Sequence, residues 1–303
     1  MMAHLVAVLL WCAAALPSLL AAPSLLAVTC DKESEAAAAS LGVQHINREH
    51  KHGFRFKLEV VQSSKYQQVS GGCHIDVNVK LAQTKCHFTN PKPDDQCELW
   101  RLDERGAVAT CSIEFWVMWG VAKVTKYECT TRPELTNEEL ETVCPVCPKL
   151  LPLDDPTAVE AVHDAVVKFN RETEQKNYFT LLEVAHVTVE SVATIGAITS
   201  LKFALVETTC RRGARNTFIP CTPRCPDRAH HVFCQTAYYN LHRQVGKLEC
   251  ELYLPKNPGP YPTDVPEPVC RPLFHQSPEA CVCKERLKYP DHAIHHICPF
   301  PLK

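Results

Sequence analysis

Cys144-Pro145-Val146-Cys147-Pro148 sits between two segments of similar length that repeat one another's pattern of helix, strands and cysteines. Two cysteines separated by two residues close only a small ring, and each flanking proline fixes φ at about −65°. The stretch reads as a stiff, disulfide-closed hinge between tandem units.

Working outward, 303 residues suffice for two units, each of the usual ~100 to 150 residues. The organisation expected is a signal segment over 1–27, a first unit over 28–143, the hinge over 144–153, a second unit over 154–254 and a Pro-, His- and Cys-rich tail over 255–303. Leu5 to Leu20 is an apolar run too short to span a membrane. Small residues follow at Ala21, Ala22 and Ala27, as at a signal cleavage site. Only His4 marks the n-region and Pro23 disfavours cutting after Ala22, so cleavage is expected at about 21–27. Secretion is expected, with no membrane span. A net charge of −2, with bases scattered among acids, provides no basic field and excludes nucleic acid as a partner.

Of the 18 cysteines, removal of Cys12 with the signal leaves 17 (18 − 1), a disulfide framework with one thiol over. Cys73, without a counterpart in the repeat, is the candidate for that thiol. The chain contains no Asn-x-Ser/Thr sequon.

Asp31 to His50 reads as a helix with Ala36, Ala39, Val43 and Ile46 on one face. The second half opens with Asp155 as N-cap and Pro156 at the first helical position, then Val159, Val162, Val166 and Phe169 at the same spacings. Both helices end on the same triplet, Asn47-Arg48-Glu49 and Asn170-Arg171-Glu172. Alternating strands follow: Phe54, Phe56, Leu58 and Val60, with Leu182-Glu183-Val184 matched to Leu58-Glu59-Val60. A second strand carries Ile75, Val77, Val79 and Leu81 in the first half, and Leu201, Phe203 and Leu205 in the second, each with one face in the core and one facing outward. Cys86 and Cys97 enclose ten residues, as do Cys210 and Cys221, and each pair reads as a local disulfide. Cys111 with Cys129 and Cys234 with Cys250 flank two strands and their turn, so each would staple a hairpin. The fold class is α+β and disulfide-rich: one helix wrapped by a twisted antiparallel sheet, twice.

Helix, strands, a C-x10-C pair and a hairpin-closing pair resemble cystatin-type domains, and two of them joined by a Cys-Pro-x-Cys-Pro hinge resemble the fetuins. The likeness covers about Cys30 to Cys250. It implies that Cys30 pairs with Cys298, leaving Cys225, Cys270, Cys281 and Cys283 for two bridges of open connectivity. It also implies a secreted, plasma-type protein acting as an endopeptidase inhibitor against a metalloprotease or a papain-like cysteine protease; no nucleophile with a base, paired carboxylate site or metal triad stands in supporting context, so neither enzymatic activity nor a cofactor is expected. The alternative is a carrier of calcium phosphate or divalent metal.

Cystatins that block papain-like proteases are similar to one another in a Gln-x-Val-x-Gly loop, a Pro-Trp loop and a glycine before the helix. Gln67-Gln68-Val69-Ser70-Gly71 matches the first, and Trp119, after Met118 in place of proline, stands in the second. Thr29 and Cys30 replace the glycine, and Ser191-Val192-Ala193-Thr194-Ile195-Gly196 lacks the motif in the second half. The same Gln67–Gly72 stretch reads equally as a tight hairpin turn. In metalloprotease-inhibiting fetuins the residue between the hinge cysteines is acidic and binds the catalytic zinc. Here Val146 offers no lone pair, so Cys144, Pro145, Val146, Cys147 and Pro148 form that scaffold without its ligand. Asp154 and Asp155 nearby read as the cap of the second helix. Mineral-binding fetuins present a row of carboxylates where this chain has His74, Asp76, Asn78 and Lys80, which reads as a solvated sheet face. His230, His231, His292, His295 and His296 read as loop histidines, not metal ligands.

Overall fold

The computed structural model of the protein describes residues 28–153, 155–212, 221 and 223–258. The expected signal segment, Asp154, and the tail from 259 with Cys270, Cys281, Cys283, Cys298 and its histidines lie outside them.

In the first unit α1 (Glu35–Glu49) lies across an antiparallel four-stranded sheet. The strands run in the order β1 (Phe54–Val69), β2 (Gly72–His87), β3 (Ala107–Met118), β4 (Val121–Pro133). The helix approaches closely at Gly42, where an added Cβ would stand 2.7 Å from Ile113 Cδ1. That contact centres the buried stripe on Ala38, Ala39, Gly42, Val43 and Ile46. Ala36, expected on the stripe, falls at its edge and is exposed. Ile75, Val77, Val79 and Leu81 of β2 all point into the core, as strict alternation requires.

After β4 comes α2 (Asn137–Val143), started by a capping box in which Thr136 and Glu139 bond one another's backbone N–H. The hinge and the short strand β5 (Lys149–Leu150) lead into α3 (Pro156–Glu172), whose N-cap Asp155 accepts from the Thr157 and Ala158 amides. The second sheet contains β6 (Asn177–Val192), β7 (Gly196–Arg211), β8 (His231–Tyr239), β9 (Gln244–Val245) and β10 (Glu249–Tyr253). Its order is β10-β8-β7-β6-β5, with β9 on β8. α3 buries Ala158, Ala161, Val162, Ala165 and Phe169.

The repeated Asn explains how each helix is fixed to its sheet. Asn47 donates to the Phe56 carbonyl at 2.8 Å and accepts from the Phe56 amide at 2.9 Å, and Asn170 does the same with Phe179, both at 2.8 Å. Bulges also recur: β1 shifts register between Phe54/Phe56, Leu58/Val60 and Val61/Ser63, and β6 between Asn177/Phe179, Leu181/Glu183 and Val184/His186. This corrects the strand matching by one residue. Glu183 is the counterpart of Val60, not of Glu59, and a one-residue slip exchanges the two faces of a strand.

Disulfides join Cys86–Cys97, Cys111–Cys129, Cys144–Cys147, Cys210–Cys221 and Cys234–Cys250. Cys30 is bonded to Cys73, their Cα atoms 5.8 Å apart, which overturns both the Cys30–Cys298 clasp and the free Cys73. The reason is alternation: Cys73 precedes Ile75 and Val77 on the inward face of β2, and the chain entering α1 passes beside it. Cys225 is also disulfide-bonded.

The outward face of the second sheet is covered. Ala185 and Phe233 meet Phe54 and Trp100 of the first unit in one apolar cluster. Trp100 stacks on His186 at 4.7 Å and lies under the Lys202 ammonium at 4.2 Å, while His186 Nε2 donates to the Arg105 carbonyl at 3.1 Å. Ala204 is therefore fully buried on the face of β7 expected to be solvated. No helix among the described residues is long and apolar enough to cross a membrane.

Candidate functional site

The two hairpin tips of the first unit touch one another. Val69 pairs with Gly72 across Ser70-Gly71, and Met118 pairs with Val121 across Trp119-Gly120. Gly71 has φ +82°, and Trp119 and Gly120 have φ +53° and +76°. Both central residues of the second turn are thus left-handed, as in a type I′ turn. Such backbone suits Asn or Gly, and for a tryptophan it costs about 1–2 kcal/mol. The indole is nevertheless 85% exposed. A strained, exposed aromatic at a rigid tip has the character of a contact residue.

The Trp119 amide donates to the Gly71 carbonyl at 3.4 Å, and a Cβ on Gly71 would lie 3.6 Å from the indole. Gln67 and Gln68 end β1 beside them, and the Gln68 amide donates to the Cys30 carbonyl at 3.1 Å. Gln67, Gln68, Val69, Ser70, Gly71 and Trp119 thus form one surface. The chain entering the fold is clamped against it through Cys30–Cys73.

The hinge is elsewhere. The β4 strand runs 13 residues from the Trp119 turn to Pro133, which at about 3.3 Å each is ~40 Å. Glu134 is anchored there by its amide to the Gly106 carbonyl. Asn137 exchanges hydrogen bonds with Leu150 and accepts from Arg105. Lys149 pairs with Glu141, closing the loop that carries Cys144–Cys147. Val146 at its apex is 88% exposed.

The hinge leads directly into the second sheet. Lys149 pairs with Val189, and β6 continues only three residues to the turn at Val192. The hinge thus enters the second sheet at its β5–β6 edge, three residues before the β6–β7 turn. There Ile195 is 38% exposed and Leu241, on the turn after β8, is 70% exposed. Gly196 has φ +78°, and a Cβ on it would lie 3.8 Å from Leu241 Cβ, so Gly196 and Leu241 repeat the Gly71–Trp119 contact. Arg243, at φ +48°, ties this turn to Glu160 of α3 at 2.5 Å. Ile195 and Leu241 were not singled out in the sequence, although an apolar residue inside the polar run Asn240-Leu241-His242-Arg243 was a signal.

The Cystatin domain model matches residues 147–242. The chain is 28% identical to alpha-2-HS-glycoprotein of Sus scrofa over 60% of its own length and 49% of that protein. To antihemorrhagic factor cHLP-B of Gloydius brevicauda it is 26% identical over 75% of its length and 65% of that protein. The chain thus spans about half the length of the first of these relatives and 65% of the second. Mouse fetuin-B, solved in complex with crayfish astacin, superposes with a TM-score of 0.57 over 74% of this chain and 72% of that one, at 22% identity. Mouse fetuin-B in its inhibitory complex with human meprin beta gives 0.58 over 75% and 73%, also at 22%. The chain is similar in sequence to alpha-2-HS-glycoprotein and has the fold of mouse fetuin-B. Its two sheet-and-helix units are the tandem cystatin-like domains of that fold.

On this scaffold the outward row His74, Asp76, Asn78 and Lys80 is mixed in charge. His74 lies tilted against Trp116 at 4.6 Å, Asn78 donates to Ser63, and Lys80 pairs with Glu59. Asp76 stands opposite Lys65 on one side and Glu114 on the other, and Glu114 pairs with Lys126. Cations between the carboxylates leave no repeating acidic lattice for calcium. Among the described residues no group of three or more His, Cys, Asp or Glu could hold a metal ion.

Proposed function

We propose that this chain is a secreted endopeptidase inhibitor that works by occupying a protease cleft and has no catalytic step of its own. The observation that carries the reading is the exposure of three apolar side chains, Val146 on a disulfide-closed hinge and Ile195 and Leu241 on two touching turns of the sheet that the hinge enters. Rigid apolar projections lose little entropy on docking and exclude water from the contact. The fetuin-B structures solved with astacin and with meprin beta support a metalloprotease target. Val146 supplies no ligand to a catalytic zinc, so the block is steric.

The Gln67–Gly71 and Trp119 surface supports a second reading, a papain-like target for the first unit. The two surfaces are too far apart to enter one cleft, so they are separable. Purified protein is assayed against one astacin-like and one papain-like protease. Leu241→Asp is expected to weaken metalloprotease inhibition at least tenfold and leave the cysteine protease unaffected. Val69→Asp, which would put a charge into a desolvated contact, is expected to do the reverse. Failure of the wild-type protein to inhibit either enzyme sinks the proposal.

A further inference from the structure

The second unit inserts a carboxylate into the first. Glu183 of β6 accepts the Gly53 amide at 2.6 Å and the His87 Nε2–H on the same oxygen, Oε1. Its other oxygen faces His52 Nδ1 at 3.7 Å. His87 is wholly buried, stacked on Phe233 at 5.0 Å and flanked by the edge of Phe54 at 5.9 Å. The Thr89 amide points at its Nδ1 and the Thr89 hydroxyl lies 2.7 Å from it, so Nδ1 accepts and the ring proton sits on Nε2, facing Glu183. His50, which closes α1, is buried edge-on to Phe56 at 5.9 Å and lies 6.3 Å from His52.

We propose that this seam is a pH-operated latch, in which Glu183, held by His87 and the Gly53 amide within a ring of imidazoles, keeps the two units docked near neutral pH and lets them part on acidification. The groups around the seam are His50, Lys51 and His52 before β1, His87 at the end of β2, His230 with its partner Glu207 just before β8, His231 at the start of β8, and Lys256 beyond β10. Basic groups outnumber the carboxylate at their centre. A proton taken up by His50 or His231 therefore adds a like charge beside the other imidazoles and lysines inside a low-dielectric contact.

The direction follows from the burial. Desolvation, followed by His52, His87 and Lys51, holds His50 down to about 3 against the opposing pull of Glu183. Desolvation, then His87 and Lys256, holds His231 down to about 4. Both are kept uncharged while the seam is closed, so their contribution is complete above pH 6.5 and is lost progressively below it. For Glu183 burial pushes upward, but the bonds to His52 and His87 prevail and hold it at about 2. Its contribution is complete above pH 4.5 and disappears only below that. Docking therefore weakens first between pH 6.5 and 4, with Glu183 still ionised.

Small-angle scattering of the full chain from pH 7.5 to 4.0, with near-ultraviolet dichroism to report that each unit stays folded, tests this without any protease. Its failure would leave the inhibitor reading standing. The radius of gyration is expected to rise reversibly by roughly a tenth, with a midpoint between pH 6.5 and 4. His50→Phe combined with His231→Gln, which removes two protonation sites, should move that midpoint down by about one pH unit or more. Glu183→Gln, which retains an acceptor for the Gly53 amide but no charge, should move it up. A scattering curve unchanged to pH 4.0, or the same midpoint in the double variant, overturns the latch.

Discussion

The Trp119 amide donates to the Gly71 carbonyl at 3.4 Å, so the tips of two hairpins are fixed to one another while the indole projects into solvent. The tryptophan occupies left-handed backbone at φ +53° for which its side chain is unsuited. Trp119→Asn should raise stability by about 1 kcal/mol, because Asn tolerates that conformation, and should weaken any contact made by the first-unit tips. Denaturant unfolding and an inhibition assay on the same preparation check both. A loss of stability instead would show that the indole serves the fold.

Asn47 and Asn170 should each be expensive to remove. In Asn47→Ala the backbone of Phe56, itself fully buried, loses the two hydrogen bonds made by the Asn47 side chain at once. A loss of about 2–3 kcal/mol is expected, and Asn170→Ala should behave alike through Phe179. Asn→Ala variants that unfold at the wild-type denaturant concentration would assign the helix–sheet docking to the apolar stripe alone.

Peptide mapping without reduction should recover Cys30 joined to Cys73. The bridge spans 43 residues of sequence, and loop-closure entropy assigns a crosslink of that length about 4 kcal/mol. Cys30→Ser with Cys73→Ser should destabilise the first unit by up to that amount and release the N-terminal segment from Gln68. Limited proteolysis ahead of α1 reads the release directly.

Val146 is a gain-of-function site. It stands at the exposed apex of the Cys144–Cys147 ring, so Val146→Asp would offer a carboxylate to the open position of a catalytic zinc. Tightening of metalloprotease inhibition by tenfold or more, about 1.4 kcal/mol, is expected. An inhibition constant equal to that of the wild type would show that the flanking turns alone hold the enzyme.

Glu207 should carry part of the acid sensitivity of the second unit. Burial pushes its carboxyl upward, but the His230 side chain and amide, Asn177 and Arg224 together hold it below the ordinary 4.5. The stabilisation is therefore full above pH 4.5 and is lost as pH falls through the lowered value. Glu207→Gln should be less stable at neutral pH and show a flatter decline as pH falls below 4.5. Parallel acid titrations followed by circular dichroism would reveal a failure as superimposable curves.

Much of the fold was legible because its signals are local. The 3.6-residue spacing of Ala39, Val43 and Ile46, the alternation of Ile75, Val77 and Val79, and the Asp155-Pro156 start each depend on a few neighbouring residues. The capping box Thr136-Asn137-Glu138-Glu139 was equally legible and marks α2, which the reading passed over. The Gln67–Gly71 and Trp119 surface was recoverable because both halves lie on hairpins whose short turns fix where their tips meet. Ile195 and Leu241 were missed because their turns lie far apart in sequence and meet only through the contact of Gly196 with Leu241.

By itself the sequence determined two α+β units, the hairpin-closing cystines and a rigid disulfide ring between them, since periodicity and short cysteine spacings are set by backbone geometry within one element or one hairpin. Tertiary structure alone decided the partner of Cys30, the burial of Ala204 and His87, and the separation of the two candidate surfaces to opposite ends of the first sheet. It also decided the place of Glu183. A strand's pattern says which residues share a face but not what will cover it, and three bulges in β6 shift its faces in a way no alternation rule records. Only when the second sheet docks on Phe54, Trp100 and His87 does an outward carboxylate become the buried centre of the seam.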